Sequence, residues 1–123
     1  MNGRIQRISG HERVTIPSWR VCATAPGAAD DPAALARLGV RALDAAAPTT
    51  AAAALRAAGL WSLDAPARRF DAEDWWFATT LPAVAREDGD ELALVFDGIA
   101  TIADVWLDGA PLLSSDNMFV RHE

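Results

Sequence analysis

Residues 103–113 have the sequence ADVWLDGAPLL, in which two short apolar segments flank an Asp-Gly pair. Asp108-Gly109 is a strong hairpin signal, because both central positions of a type I′ turn need a positive φ. In the segment before the turn, Asp104 and Trp106 share one strand face and the apolar residues between them share the other. The apolar residues after the turn begin a return strand. We therefore expect a β-hairpin here.

Further strand signals lie upstream of this hairpin. Residues 75–81 (WWFATTL) alternate with period two, and residues 92–96 (LALVF) follow an Asp-Gly-Asp turn and are apolar on both faces. Residues 13–23 predict one or two short strands, with Pro17 at an edge or a break. Several short strands separated by turns predict an antiparallel β-sandwich, either a jelly roll or a Greek key.

The alanine-rich stretch of residues 26–60 lies between the strand signals at 13–23 and at 75–81 and contains two helix signals. Asp31 followed by proline is typical of an N-cap and first helical position, and Gly39 of the end of that helix. A second helix is predicted over residues 51–58, with Thr49 or Thr50 as its cap and a glycine after it. Both helices are too short to be stable alone, so they must pack against the strands.

The composition and charge of the chain argue against several classes of function. The 123 residues are 51% hydrophobic and carry a net charge of −6, with eleven arginines and no lysine. This balance argues against a nucleic-acid binder and against a polybasic membrane-binding surface. The single cysteine, Cys22, excludes an internal disulfide, and together with His11 and His122 it gives no metal-ligand spacing. No signal peptide or membrane-spanning run is visible, so we expect a soluble, cytoplasmic protein without metal or cofactor.

Three segments carry a family resemblance: residues 70–77 (FDAEDWWF), 96–109 (FDGIATIADVWLDG) and 115–119 (SDNMF). In this order they resemble the N-terminal domain of family-two glycoside hydrolases, most closely the β-mannosidases. That family has an Asp-Trp-Trp-aromatic strand, then a Phe-Asp/Glu-Gly segment ending in an Asn-Gly turn, then Asp-Asn-Met-Phe. The sequence departs from this pattern at the turn, where Asp108 replaces asparagine, and at Thr49, where the family has a glycine.

The resemblance implies a mostly β, galactose-binding-like jelly-roll sandwich with one or two short helices. We expect residues 1–12 to be an N-terminal tail and residues 13–123 to be the domain, incomplete at its C-terminus. In the full enzymes this domain precedes an immunoglobulin-like sandwich and a TIM barrel, and the barrel carries both catalytic glutamates of a retaining mechanism. The expected partners are therefore those domains and a carbohydrate substrate, and we expect no catalytic residue in this chain.

Asp116 and Asn117 are the candidate substrate-binding residues. The resemblance implies that the loop after the hairpin approaches the barrel's active site, and the Asn117 amide offers a donor and an acceptor to a sugar hydroxyl. The alternative is local turn chemistry, in which Asx side chains bond the nearby backbone. Met118 and Phe119 are expected to pack.

For the other candidate functional residues, we prefer a structural role to a role in catalysis or binding. Asp71, Glu73 and Asp74 could suggest an acid pair, but they fit the entrance of a strand. Trp75 and Trp76 face opposite ways and cannot form one sugar-stacking platform, so we expect core or interface roles. For Trp106 we expect packing, and for its neighbour Asp104 a bond to a loop amide. Cys22 is expected to be a small buried hydrophobe.

Three alternatives remain open at this level. The chain could be a free-standing carbohydrate-binding module of the same fold, or the same domain of a β-glucuronidase or β-galactosidase. It could also be an interaction domain unrelated to sugars, which would require Trp61, Trp75 or Trp106 to be exposed in one patch.

Overall fold

The computed structural model of the chain describes residues 1–8, 10 and 12–123. Within these ranges the protein is mostly strand, with two short helices, as predicted. A single 3₁₀ turn, Phe70–Ala72, precedes the fifth strand. The elements in chain order are β1 (Gly3–Arg7), β2 (Arg13–Thr15), β3 (Ser18–Thr24), α1 (Pro32–Leu38), β4 (Leu43–Ala46), α2 (Ala51–Ala57), β5 (Asp74–Ala78), β6 (Leu92–Phe96), β7 (Ala103–Leu107) and β8 (Ala110–Ser115).

The described strands form two three-stranded sheets and one separate hairpin, all antiparallel. One sheet has the order β2-β1-β6, the other β4-β3-β5, and the hairpin is β7-β8. In the first sheet Ile5 lies opposite both Val14 and Leu94. In the second, Cys22 lies opposite Trp76. The middle strands β1 and β3 therefore set the register of each sheet.

Both sheets contribute to one core. Trp19 and Val21 of β3 pack in the same buried cluster as Phe96 of β6. Ile16 and Ile99, from the loops after β2 and β6, are at most 2% exposed and belong to this cluster. Partly buried residues of the hairpin pack against it as well. Burial of apolar side chains between two sheets is the main stabilising contribution in such a fold, and it confirms the predicted β-sandwich.

Both predicted helices are present, with the predicted caps. The Asp31 side chain accepts a hydrogen bond from the Ala34 amide at 2.7 Å, and Gly39 ends α1 with a φ of 64°. Thr50 caps α2 by accepting from the Ala53 amide at 3.1 Å. The helices differ in packing, since α2 buries two side chains in the sandwich and α1 buries none. Neither described helix is long and apolar enough to cross a bilayer.

The prediction of an N-terminal tail over residues 1–12 is wrong for residues 3–7, which form the middle strand of the first sheet. Gly3 shows why this segment fits there. A Cβ at Gly3 would lie 3.0 Å from the Ile16 side chain and 3.1 Å from the Phe96 ring, so a larger residue there would require these two side chains to shift by a few tenths of an ångström. The strand predicted over residues 75–81 is also shorter than expected, since β5 ends at Ala78.

Candidate functional site

The β7-β8 hairpin and the loop after it hold the candidate substrate-binding residues. Asp108 and Gly109 have φ values of 49° and 81°, which confirms the predicted turn with two positive φ angles. Val105 lies opposite Leu113 and the next residue, Trp106, opposite Pro111, so Leu112 is an extra residue that forms a bulge in β8. Such a bulge bends its strand and increases the local twist of the hairpin.

Asp116 and Asn117 directly follow β8, and both are exposed. The Asn117 side-chain oxygen accepts a hydrogen bond from the Phe119 amide at 2.9 Å. The Asn117 backbone N–H donates to the Ser115 hydroxyl at 3.3 Å. Asn117 therefore makes the local turn hydrogen bonds given as its alternative role, and its side-chain oxygen is the acceptor in one of them. The exposed residues Asp116 and Asn117 thus offer a carboxylate and a side-chain NH₂ group.

A close backbone contact fixes this loop to the segment before β7. A Cβ at Gly98 would lie 2.7 Å from the Met118 carbonyl oxygen, a distance that no side chain tolerates. Residues 96–98 (Phe-Asp-Gly) and residues 116–119 (Asp-Asn-Met-Phe) belong to separate motifs in the sequence. They form one structural unit, in which a glycine is required because the second segment packs on its backbone.

His122 closes the same unit. Its backbone exchanges two hydrogen bonds of 2.9 Å with Phe96, so it adds a bridge to the edge of β6. Its Nε2 atom lies 3.0 Å from the Ser115 hydroxyl. An isolated histidine gives no such signal in sequence, because both contacts depend on the chain's return to β6.

The electrostatics beside this unit are dominated by arginine. Arg4 of β1 forms a hydrogen-bonded ion pair with Asp97. The Arg4 guanidinium holds the pKa of the Asp97 carboxyl below its usual value, and the charges of Arg121 and Arg13 act in the same direction. The ion pair links the β6–β7 loop, in which Asp97 lies, to β1 of the first sheet.

The acidic cluster at the start of β5 consists of carboxylates that already have partners. Asp71 pairs with Arg69 at 2.8 Å, and this hydrogen bond lowers the pKa of Asp71. Glu73 pairs with Arg68 at 2.9 Å. Each contact is one that a strand entrance would make, in agreement with the structural interpretation of this cluster.

Asp74 of the same cluster accepts a hydrogen bond from the Gly27 amide at 2.8 Å. It thereby ties the loop before α1 to the start of β5.

Trp75 and Trp76 face opposite ways, as predicted. Trp75 packs against the core, donates its indole N–H to the Phe70 carbonyl at 3.0 Å and lies under the Arg68 guanidinium at 5.3 Å. Trp76 stacks on Trp106 with ring centroids 5.7 Å apart. None of these tryptophans is fully exposed, which weighs against a purely protein-binding tryptophan patch.

Two smaller expectations had different outcomes. Asp104 accepts a hydrogen bond from the Ser114 hydroxyl across the hairpin, and not from a loop amide as predicted. Cys22 is buried and free, as predicted, and burial raises the pKa of its thiol.

Residues 1–8, 10 and 12–123 contain no group of three side chains that could hold a metal ion, and His11 lies outside the described residues.

Comparison with known protein families matches most of the chain to one family. The glycosyl hydrolase 2 galactose-binding domain-like family matches residues 33–123. This range contains the hairpin, the glycine-anchored loop and β3's partner strands β4 and β5.

Curated relatives match shorter segments. β-Mannosidase B of Aspergillus flavus is 41% identical over 56 residues, which are 46% of this chain and 7% of that protein. β-Mannosidase B of Aspergillus terreus is 38% identical over 64 residues, 52% of this chain and 7% of the relative. That of Thermothelomyces thermophilus is 40% identical over 48 residues, 39% of this chain and 6% of the relative. The match thus spans less than a tenth of each relative's length.

No solved structure gives a significant match to the chain. The family match nevertheless covers well over half of the sequence, and its motifs meet in one structural unit at the end of the hairpin. The chain therefore belongs to the glycosyl hydrolase 2 galactose-binding domain-like family.

Proposed function

We propose that this chain is the non-catalytic N-terminal β-sandwich portion of a β-mannosidase-like glycoside hydrolase, an enzyme that hydrolyses terminal β-mannosides when intact. The observation that carries this proposal is the family match over residues 33–123, together with relatives named β-mannosidase B. Those relatives are far longer than this chain, which supports further domains of the same enzyme as its partners.

Two acids of the described residues, Asp71 and Asp97, support a non-catalytic role. A retaining glycosidase needs two carboxyl groups about 5–5.5 Å apart, one of them an acid with a raised pKa. Asp71 and Asp97 instead have lowered pKa values because each is hydrogen-bonded to an arginine. An acid held ionised in this way is a poor proton donor near neutral pH.

In the intact enzyme, Asp116 and Asn117 would contact hydroxyl groups of the substrate. Support comes from their exposure and from the contact between Gly98 and Met118, which fixes the loop that carries them. The Asn117 NH₂ group would donate to a sugar oxygen while its carbonyl oxygen keeps the turn closed. Phe119 is 88% exposed and would pack against the next domain.

The first test is an assay of the purified 123-residue chain with a chromogenic β-mannoside. We expect no turnover, because the catalytic carboxyl pair would lie in another domain. Turnover that remains with the chain through successive purification steps would contradict the proposal. The Asp71→Asn variant would then show whether the acidic cluster is responsible.

The second test is a hybrid enzyme, in which this chain replaces the corresponding segment of the Aspergillus flavus β-mannosidase B. We expect the hybrid to hydrolyse β-mannosides, and an inactive but folded hybrid would count against equivalence of the two segments. Asn117→Asp keeps the acceptor for the Phe119 amide and removes the NH₂ donor. It should lower kcat/KM about tenfold, or about 1.4 kcal/mol.

The matched control in the hybrid is Thr101→Ala, at an exposed residue of the neighbouring loop. It should leave kcat/KM unchanged. If Asn117→Asp behaves like this control, Asn117 has no contact with the substrate and serves only the turn.

A further inference from the structure

A cavity of about 240 Å³ lies between α1 and the face of the second sheet that points away from the core. Because α1 buries none of its side chains, the helix leaves space over β3 and β5. An apolar cavity of about 150 Å³ is already large enough to bind benzene, whereas drug-sized ligands need about 300–1,000 Å³. The cavity therefore has room for a single ring with a short substituent.

The walls of the cavity are mainly apolar, and one of them is held in place by contacts outside it. Leu35 of α1 and Val40, which follows the helix, face Trp76 of β5 across the cavity. The Trp76 indole N–H donates to the Thr24 hydroxyl at 3.3 Å, and its ring stacks on Trp106. Trp76 thus offers an aromatic surface that is fixed in advance, so little conformational entropy is lost when a ring packs on it.

The charge of the lining favours an anion, although the chain as a whole carries a net charge of −6. Arg20 of β3 is charged, and none of the other described residues that line the cavity is. Asp44 lies directly opposite Arg20 on β4, but Arg20 forms no ion pair with any described residue. The Cys22 thiol, which also lines the cavity, has a pKa raised by burial and therefore adds no negative charge near pH 7.

We propose that this cavity binds a small aromatic carboxylate, with its ring against Trp76 and Leu35 and its carboxylate on the Arg20 guanidinium. A guanidinium donates two parallel N–H bonds to a carboxylate, which gives such a ligand a fixed orientation. The apolar walls exclude water from the ring and supply most of the affinity. Neither Asp116 nor Asn117 lines the cavity, so the site is independent of the substrate contact proposed above.

The test uses phenylacetate as the probe and follows the alkylation of Cys22 by iodoacetamide with mass spectrometry. Cys22 is the only cysteine of the chain, so every alkylated molecule reports on this cavity. We expect phenylacetate to slow the alkylation in a saturable manner. Phenylacetamide has the same shape without the charge, and it should bind about tenfold more weakly, because its hydrogen bond to Arg20 is not between two ions.

Arg20→Gln changes an exposed side chain and tests the proposed ion pair. With each rate expressed relative to the same variant without ligand, it should lower the association constant of phenylacetate about tenfold. The association constant of phenylacetamide should stay nearly unchanged. Equal binding of the two ligands by the original chain would overturn the contact with Arg20.

Ala36→Leu tests the cavity itself, because it places a larger side chain of α1 in the space that the ring would occupy. It should abolish the protection of Cys22 by phenylacetate. The matched control is Ala33→Leu, an exposed position of the same helix that does not line the cavity, and it should leave the protection unchanged. Leucine is a good helix former, so α1 should persist in both variants. The proposal is overturned by a lack of saturable protection in the original chain, or by protection that survives in Ala36→Leu.

Discussion

Gly98 is the residue on which the contact between the two family motifs depends. Gly98→Ala would place a Cβ 2.7 Å from the Met118 carbonyl oxygen, so the backbone of one segment must move. We expect a loss of about 1–3 kcal/mol in the free energy of unfolding, measured by urea titration. Shifts of the Phe119 amide signal should accompany this loss.

Gly10→Ala provides the comparison for Gly98→Ala. A Cβ at Gly10 would meet only the flexible Arg7 side chain, at 3.2 Å. This variant should therefore cost much less stability. Equal costs for the two substitutions would show that the close approach to Met118 is not needed.

Asp97 makes the stability of the protein pH-dependent under acidic conditions. Its pKa is lowered in the folded state by the Arg4 hydrogen bond. The resulting stabilisation is therefore complete above the unfolded pKa of about 3.9 and is lost as the pH falls through the lower folded pKa. Asp97→Asn should be less stable than the original chain at about pH 6, and this difference should shrink below about pH 3.

Urea midpoints at both pH values measure the Asp97 effect. The matched control is Asp64→Asn, an exposed carboxylate without an ion-pair partner among the described residues. A difference between Asp97→Asn and the original chain that stays constant with pH would contradict the role given to the Arg4 pair.

At the scale of elements, the two helices have the same kind of cap, but we expect their caps to contribute differently to the free energy of unfolding. Thr50→Ala removes the bond to the Ala53 amide, and α2 buries Ala54 and Leu55 in the sandwich. We expect it to lower the free energy of unfolding by about 1 kcal/mol. Asp31→Ala removes an equivalent bond from α1, which buries no side chain.

The Asp31→Ala variant should therefore have a small effect on global unfolding and mainly speed amide exchange within α1. Chemical denaturation and hydrogen exchange measure the two effects. If both variants shift the global transition equally, α1 contributes to the core as much as α2 does.

The same elements show how far the sequence predicts local structure. Both helices, their caps and the Asp108-Gly109 turn could be predicted, because each depends on side chains within a few residues. β1 could not, because its five residues (GRIQR) form the middle strand of a sheet, between β2 and β6, and β6 lies almost ninety residues later. Tertiary pairing here outweighs local propensity.

The candidate site was predictable in part for the same reason. Asp116 and Asn117 could be chosen from their motif, and the turn bond made by Asn117 follows from its own chemistry. The contact of Gly98 with Met118 and the bridge of His122 to Phe96 join segments about twenty residues apart or more. No local pattern encodes such contacts.

At the scale of the whole molecule, His122 protects the outer edge of the first sheet. It pairs with Phe96 of β6, whose partner on the other side is β1. His122→Pro removes the N–H that bonds the Phe96 carbonyl oxygen. We expect faster exchange of the Phe96 amide and a loss of about 1–2 kcal/mol in stability.

His122→Ala separates the backbone role of His122 from its side-chain role. It keeps the backbone bridge and loses only the contact between the imidazole and the Ser115 hydroxyl. It should leave the exchange rate of the Phe96 amide nearly unchanged. Equal exchange rates in the two variants would mean that the bridge does not protect the sheet edge, which an unpaired strand would expose to association with another chain.

The stacked rings of Trp76 and Trp106 have an optical consequence. Two indoles 5.7 Å apart couple their electronic transitions, and such coupling produces a paired positive and negative band in far-ultraviolet circular dichroism. The paired band therefore reports whether the hairpin is packed on the second sheet. Loss of that signal on heating, before the backbone signal changes, would report the hairpin lifting away while both sheets remain folded.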